Sequence, residues 1–438
     1  MSVTSRSIAA CSTIVLLSLL SPGIAHAGEQ ADSAEATGSS SQSCGRADRG
    51  RLLGFEPIAS YPTPADARTY FESWVDFYRD FYGFAEDLTA DVAYGFDAYK
   101  VTYCSIDAVL PGQDHAEPTV LTGNVSVPRK AGPLPTVAYV RGTGASYYDA
   151  PSNPNIAGDL EPRGESFEGP AASPIFAGNG FIYVAPDLTG FGDSTAPRHR
   201  YFHADSEASS TIDLLAASRD ALKSLNVRRS DELFIFGWSQ GGHVALAAQR
   251  ALEQRHVEVT ATAVIGAVFD VERFFLSGIE DETTVTIPLY VSYLLLAYDD
   301  VYDVYDKPSD VFRRPYAETV PGLLDMQHYW DDILAGLPPT SRELLKKSYF
   351  EKVRTNPDDP FRVRMRENAV DRWRPEAPIR VYHTPTDEEV FYEDALVSVD
   401  RLRKRGADIS VRTLAGPDHV TSWIQSMPRA VKFFQKQD

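Results

Sequence analysis

Cysteine is scarce in this chain, with 3 among 438 residues. Cys11 falls within the first 27 residues, where Arg6 precedes an apolar stretch from Ile8 to Leu20 and Ala25-His26-Ala27 follows. Those are the three regions of a secretory signal peptide, and cleavage near Ala27 is expected, giving a secreted or periplasmic protein. Too little apolar sequence precedes Cys11 for Ile8-Ala9-Ala10-Cys11 to work as a lipidation box, which excludes a lipoprotein anchor. Export leaves only Cys44 and Cys104, in an oxidising compartment. The pair can bridge and pin the N-terminal arm to the body, or stand as two separate thiols; sequence holds no information on their Cα separation.

Positive charge is also short: Lys and Arg number 42 against 61 Asp and Glu, a formal charge of -19. Nucleic acid and anionic lipid are thereby excluded as partners, since either would require clustered Lys and Arg. The one dense basic run, Arg401 to Arg405, falls late in a predicted helix and reads as a solvated face. A metal scaffold is missing too, because His199 and His203 lie four apart with no third ligand of suitable spacing. Beyond the signal no apolar run reaches the roughly 20 residues of a membrane span, and Ile287 to Tyr298 falls well short. No stable membrane anchor is expected.

What is present is an alternation. Residues 28–51 are rich in Ser, Gly, Ala and acids, and predict a flexible spacer. Aromatics become dense from Phe55, and Tyr70, Trp74, Phe77, Tyr78 and Phe81 share helical spacing over Ala65 to Phe84. Lys100 to Ile106 and Leu121 to Val127 predict an antiparallel entry pair. Further strand-like runs are Thr136 to Val140, Phe181 to Ala185, Leu233 to Phe236, Ala263 to Ala267, Ile379 to His383 and Ile409 to Leu414. Helical runs over Ser206 to Leu225, His243 to Arg255, Tyr392 to Arg405 and Thr421 to Gln435 supply crossovers. The pattern predicts an α/β fold, a mostly parallel sheet flanked by helices.

Between Asp270 and Trp373 roughly a hundred residues stand where one crossover would suffice. Residues 271–373, with helical stretches at Val291 to Tyr298 and Ser341 to Val353, are therefore expected to form a helical cap or lid. It would interrupt a catalytic domain made of 52–270 and 374–438. Ile287 to Tyr298 is apolar on every face, which fits a lipid-facing lid or a buried cap helix. Leu289, Tyr293 and Leu294 in this run are candidates for substrate contact.

The most informative stretch is Gly237-Trp238-Ser239-Gln240-Gly241, between the strand-like Leu233 to Phe236 and the helical run from His243. A serine on a sharp strand-to-helix turn is pushed out of the sheet, and small residues two before and two after let the strained backbone pass without a Cβ clash. The pattern alone recurs by chance. Its context identifies a nucleophile elbow, with Ser239 as nucleophile and Trp238 as a substrate-contact candidate.

A serine hydroxyl needs a base, itself oriented by a carboxylate. Asp387 lies in the loop after the strand ending at His383, and His419 in the loop after the next strand, within Gly416-Pro417-Asp418-His419. Both positions suit the carboxyl edge of the sheet, where Ser239 also emerges. Glu388 and Glu389 compete with Asp387, which is favoured as the first acid beyond the strand, after Pro385-Thr386. His243 belongs on the first turn of the elbow helix pointing away from the hydroxyl, His383 reads as a buried core histidine, and Asp418 as a support for the histidine loop. The oxyanion donors expected are the backbone N–H of Gln240 and one from Arg141-Gly142-Thr143-Gly144, with Thr143 preferred and Gly142 left open.

The elbow, the Arg141-Gly142-Thr143-Gly144 loop, Ala185-Pro186-Asp187-Leu188-Thr189-Gly190-Phe191-Gly192-Asp193-Ser194 and the helix start Ala204-Asp205-Ser206-Glu207-Ala208 resemble α/β-hydrolases of the secretory lipase type. The likeness spans roughly residues 98 to 435 and departs at Arg141, where the superfamily often has His before Gly. It implies ester hydrolysis by Ser239, Asp387 and His419, without cofactor, on a small-molecule or lipid ester. A serine peptidase of the same fold is the alternative, since one triad serves esters and amides. A binding protein on a hydrolase scaffold is a third reading, disfavoured because all three triad positions are filled.

Overall fold

Strands of this protein assemble one sheet, seen in a computed structural model that describes residues 43–82, 91–153 and 168–437, and the side chains of all of these except 76–82 and 168–171. The expected signal peptide and the spacer up to residue 42 lie outside the described residues. In chain order the strands are β1 (Leu52–Tyr61), β2 (Phe96–Ile106), β3 (Pro118–Pro128), β4 (Leu134–Val140), β5 (Ile182–Pro186), β6 (Arg229–Trp238), β7 (Ala261–Ile265), β8 (Ile379–His383) and β9 (Ile409–Thr413). Their spatial order is β1-β2-β3-β5-β4-β6-β7-β8-β9. β1, β2 and β3 form an antiparallel meander, β3 meets β5 antiparallel, and every later pairing is parallel. Parallel strands covered on both faces read as continuous apolar runs, and Val137, Ala138, Tyr139 and Val140 of β4 are all fully buried.

The first helices are α1 (Pro64–Tyr82), α2 (Glu168–Ala177), α3 (Ala204–Ser224) and α4 (Gln240–Glu253). Between β7 and β8 run α5 (Val271–Glu280), α6 (Ile287–Tyr302), α7 (Pro308–Val311), α8 (Tyr316–Leu323), α9 (Trp330–Ala335), α10 (Ser341–Leu344), α11 (Lys347–Thr355) and α12 (Pro360–Glu367). α13 (Tyr392–Lys404) and α14 (His419–Phe434) complete the chain. Phe71, Phe176 and Trp423, from α1, α2 and α14, pack on one sheet face with Tyr139 and Phe236. Leu214, Leu246 and Val399, from α3, α4 and α13, pack on the other with Ala138 and Ile235.

The α5–α12 insertion packs Leu289, Tyr293, Leu294, Val311, Leu344 and Val353 into one cluster with Val140, Phe191, Tyr201 and Val244 of the body. Its ends are drawn together where the Val370 N–H donates to Phe269 O at 2.8 Å. The apolar run foreseen over Ile287 to Tyr298 is the buried body of α6. Leu289, Tyr293 and Leu294 have no accessible surface, so the helix offers no lipid-facing stripe at these positions.

Three elements depart from the expectations. β1 carries Pro57 and two register irregularities against β2, which erase the alternation that marks a strand and suit an edge position. α2 was invisible because Glu168-Gly169-Pro170-Ala171-Ala172-Ser173-Pro174 has no helical period and two prolines. The single helix expected over Ser341 to Val353 is two, broken where Leu345 is extended and bridges Phe312, and where the Lys346 N–H donates to Val311 O at 2.8 Å.

At the N-terminal side, residues 43–51 are tied to the body. A 3-10 turn at Arg46–Asp48 is followed by Gly50 and Arg51, whose backbones bond both sides of Cys104 at 2.8 and 3.0 Å. Cys44 and Cys104 are joined by a disulfide with Cα atoms 5.6 Å apart.

Candidate active site

The parallel register brings the ends of β4, β6, β7 and β8 level: Val140 pairs with Gly237, Trp238 with Ile265, and Ile265 with Tyr382. Everything that follows these strands therefore emerges at one edge. Ser239 comes directly after β6 with φ 57° and ψ -122°, a left-handed conformation that costs a non-glycine residue roughly 1–3 kcal/mol. The neighbours hold it there: its N–H donates to Ile265 O at 2.8 Å and its carbonyl accepts from Gly242 N–H at 3.0 Å. The turn is so tight that a Cβ on Gly237 would run into the Gly241 carbonyl, and one on Gly241 into Val140 O. Ser239 keeps 9% of its surface accessible.

Asp387 and His419 meet beside it. His419 Nδ1 lies 2.7 Å from Asp387 Oδ2, close enough for the ring N–H to donate to the carboxylate. Asp387 Oδ1 accepts from the N–H groups of Glu389 and Val390, at 3.1 and 2.8 Å. His383 Nε2 reaches Asp387 Oδ2 at 3.1 Å while facing Val390 O at 2.9 Å, so this core histidine also serves the acid. Burial works to raise the Asp387 pKa, but the His419 charge and the hydrogen bonds from His383 and His419 outweigh it and hold the carboxyl well below its ordinary value. Asp418 caps α14 by accepting from Thr421 N–H at 2.7 Å, which fixes the first helical residue, His419.

His419 is 1% exposed and stacks its ring 5.0 Å from that of Trp238, which in turn stacks on Trp423 at 5.1 Å. Its Nε2 is buried and makes no hydrogen bond, to Ser239 Oγ or to any other described group. The rival acids flank the ring: Glu388 Oε2 accepts from His419 N–H at 3.3 Å, and Glu389 Oε2 lies 3.9 Å from Nε2. Neither touches Nδ1.

Gln240 opens α4, so its backbone N–H has no intrahelical acceptor. Thr143 and Gly142 stand in the loop after β4, where the Thr143 hydroxyl bonds the Tyr201 hydroxyl at 2.9 Å. Tyr201 stacks on Tyr293 of α6 at 4.6 Å, so Tyr293 supports this loop from behind.

Sequence reasoning did not foresee a buried network behind the elbow. Glu207, at the start of α3, accepts from the Gln240 side chain at 2.7 Å and from Phe202 N–H at 3.0 Å. Its other oxygen meets His243 Nδ1 at 2.9 Å, and His243 Nε2 faces Asn368 O at 2.8 Å. Both partners accept, so both His243 ring nitrogens donate. His199, whose Nδ1 faces Thr189 O at 2.7 Å, touches Gln240 with Nε2. Burial works to raise the Glu207 pKa, but His243 and His199 outweigh it and bring it down to about 2. The one available signal was the helix start Ala204-Asp205-Ser206-Glu207-Ala208, acidic and made of small residues. Among the described residues no group of three or more His, Cys, Asp or Glu could hold a metal ion.

A mostly parallel sheet with helices on both faces and a serine on a strained turn after its central strand is the architecture of α/β-hydrolases. The chain belongs to the alpha/beta hydrolase family, whose model matches residues 162–432, and it is a hydrolase of that fold. No curated protein sequence matches it. Among solved structures it is similar to a Legionella pneumophila protein assigned as a hydrolase, with TM-score 0.76 and 22% identity over 88% of this chain and 98% of that one. It is similar also to the rice cell wall degrading esterase LipA from Xanthomonas oryzae, with TM-score 0.74 and 23% identity over 89% and 98% of the two chains. Candida antarctica lipase A in its closed state gives 0.63 and 14% over 89% and 82%. At these identities the likeness is one of fold.

Proposed function

We propose that the protein is an exported serine carboxylic-ester hydrolase working through an acyl-enzyme on Ser239. The observation that carries this reading is the unpartnered, buried Nε2 of a histidine whose Nδ1 is held 2.7 Å from a buried carboxylate, at the sheet edge where Ser239 emerges. Ser239 Oγ attacks the ester carbonyl as His419 Nε2 takes its proton, and Asp387 stabilises the imidazolium that forms. The oxyanion is met by the N–H of Gln240 and by one from Gly142 or Thr143. Collapse of the tetrahedral intermediate breaks the bond to the alcohol oxygen, which leaves with the His419 proton. Water, deprotonated by the same histidine, then releases the acid.

Esterase and lipase neighbours support the ester over the amide as substrate. The disulfide supports export, since such bonds persist in oxidising compartments, as does the leader-like pattern of residues 1–27. The test is turnover of a p-nitrophenyl ester series by the mature protein, with an aminoacyl-anilide alongside. Ser239→Ala is expected to lower kcat by about 10⁴-fold or more at unchanged thermal stability, and to abolish labelling by a fluorophosphonate. Equal ester turnover in wild type and variant would remove Ser239 from the chemistry, and preferential anilide cleavage would move the protein to the peptidases.

A further inference from the structure

We propose, resting on the ester-hydrolase reading above, that Glu389 selects esters whose alcohol carries a cationic nitrogen two or three bonds beyond the ester oxygen. The position of its carboxylate carries the inference. Glu389 Oε2 lies 3.9 Å from His419 Nε2, the atom that must hand its proton to the departing alcohol. A leaving oxygen within hydrogen-bond reach of Nε2 places the next few atoms of the alcohol against that carboxylate.

Its one cationic partner among the described residues is His419 itself, which Asp387 also holds and which must be uncharged when Ser239 attacks. The Glu389 oxygens accept from neutral hydroxyls of the insertion, Tyr290 at 2.6 Å and Thr286 at 3.2 Å. Asp387 is matched by His419 and His383, and Glu207 by His243. Glu389 keeps 17% of its side chain accessible, enough to meet a ligand and too little for full hydration. With His419 neutral, this poorly solvated carboxylate lacks a counter-ion, a costly state that an alkylammonium group would relieve.

Aromatic rings supply the second half of a cation site. Tyr290, which grips Glu389, lies 6.1 Å from Phe274 and 5.8 Å from Trp330 between ring centroids. These rings retain 6%, 9% and 8% of their surface. Ring faces attract ammonium and quaternary ammonium groups, whereas an anionic alcohol would meet only repulsion here. In the reaction the cation is a spectator: the acyl–oxygen bond breaks, the alcohol leaves protonated by His419, and the nitrogen keeps its charge throughout.

The experiment compares butyrylcholine with its neutral isostere 3,3-dimethylbutyl butyrate, in the full-length mature protein and in Glu389→Gln. That substitution retains an oxygen acceptor for Tyr290 and Thr286, and a thermal melt checks the fold. Wild type should favour the choline ester in kcat/KM by about tenfold, mainly through KM, a ratio that corresponds to ~1.4 kcal/mol. Glu389→Gln should bring the ratio near unity. Equal handling of both esters by wild type, or a preference that survives in Glu389→Gln, overturns the proposal. Where neither ester is turned over, protection of Ser239 from fluorophosphonate by tetramethylammonium decides: protection in wild type that is lost in Glu389→Gln supports it, and labelling unaffected by the cation overturns it. Absence of any labelling would instead remove the hydrolase reading on which it rests.

Discussion

His419 is the residue on which opposing forces are most finely set. Burial alone would lower its pKa, yet Asp387 at Nδ1, with Glu389 and Glu388 nearby, outweighs burial and raises it to about 9. A histidine raised in this way stays protonated below that value and becomes a free base only as pH climbs through it. The proposed attack by Ser239 needs the free base. For a neutral ester, kcat/KM should therefore rise through the alkaline range, with a midpoint displaced from the ordinary value of about 6.5 toward 9. Removing a raising charge by Glu389→Gln should draw that midpoint downward. Asp387→Asn should draw it further and lower kcat by about 10⁴-fold, because the ring loses its orienting acceptor. A wild-type profile already flat above pH 7 would contradict the influence assigned to these carboxylates.

Single residues are held in place by whole elements, and the clearest case is the joint between α3 and α4. Glu207 on α3 fastens Gln240 and His243 on α4, and through Asn368 the joint extends to the last turn of the insertion. Removing one partner of a buried ion pair leaves the other uncompensated and costs about 3–5 kcal/mol. Glu207→Ala should lower the free energy of urea unfolding by that order, and a loss under 1 kcal/mol would show that the network is not an ion pair. The strand-to-helix punctuation around Ser239 and the loops after β8 and β9 were legible in the sequence, because strand ends and turn residues leave local signals. Asp387 and His419 follow from those strand ends. Glu207, His199 and Tyr290 were not legible, since His199 and Glu207 meet Gln240 from 41 and 33 residues away, and Tyr290 meets Glu389 across 99 residues. α6 was legible as apolar, but whether it faced lipid or core depended on packing partners that no local pattern encodes.

Across the whole molecule, the exposed large hydrophobic side chains among the described residues are Val109, Tyr147, Val285 and Val397, which lie far apart in sequence. No helix of the described residues is long and apolar enough to cross a membrane. What binds the N-terminal arm to this body is therefore local: β1 pairing on β2, Arg49 bonding Asp213 at 3.1 Å, and the Cys44–Cys104 disulfide across a separation of 60 residues. A cross-link of that span restricts the unfolded chain, a contribution of about 2–4 kcal/mol. Its attachment point lies on β2, while the residues proposed to react follow β6, β8 and β9, and β3, β5 and β4 intervene in the sheet. Stability and chemistry should accordingly separate. The Cys44→Ser, Cys104→Ser double variant should unfold at lower temperature and lower urea than wild type, by an amount that reduction of wild type reproduces. Its kcat and KM at 25 °C should match those of the parent. An unchanged melting temperature would mean that the β1–β2 pairing alone holds the arm, and altered kcat would mean that strain at β2 reaches the far edge of the sheet.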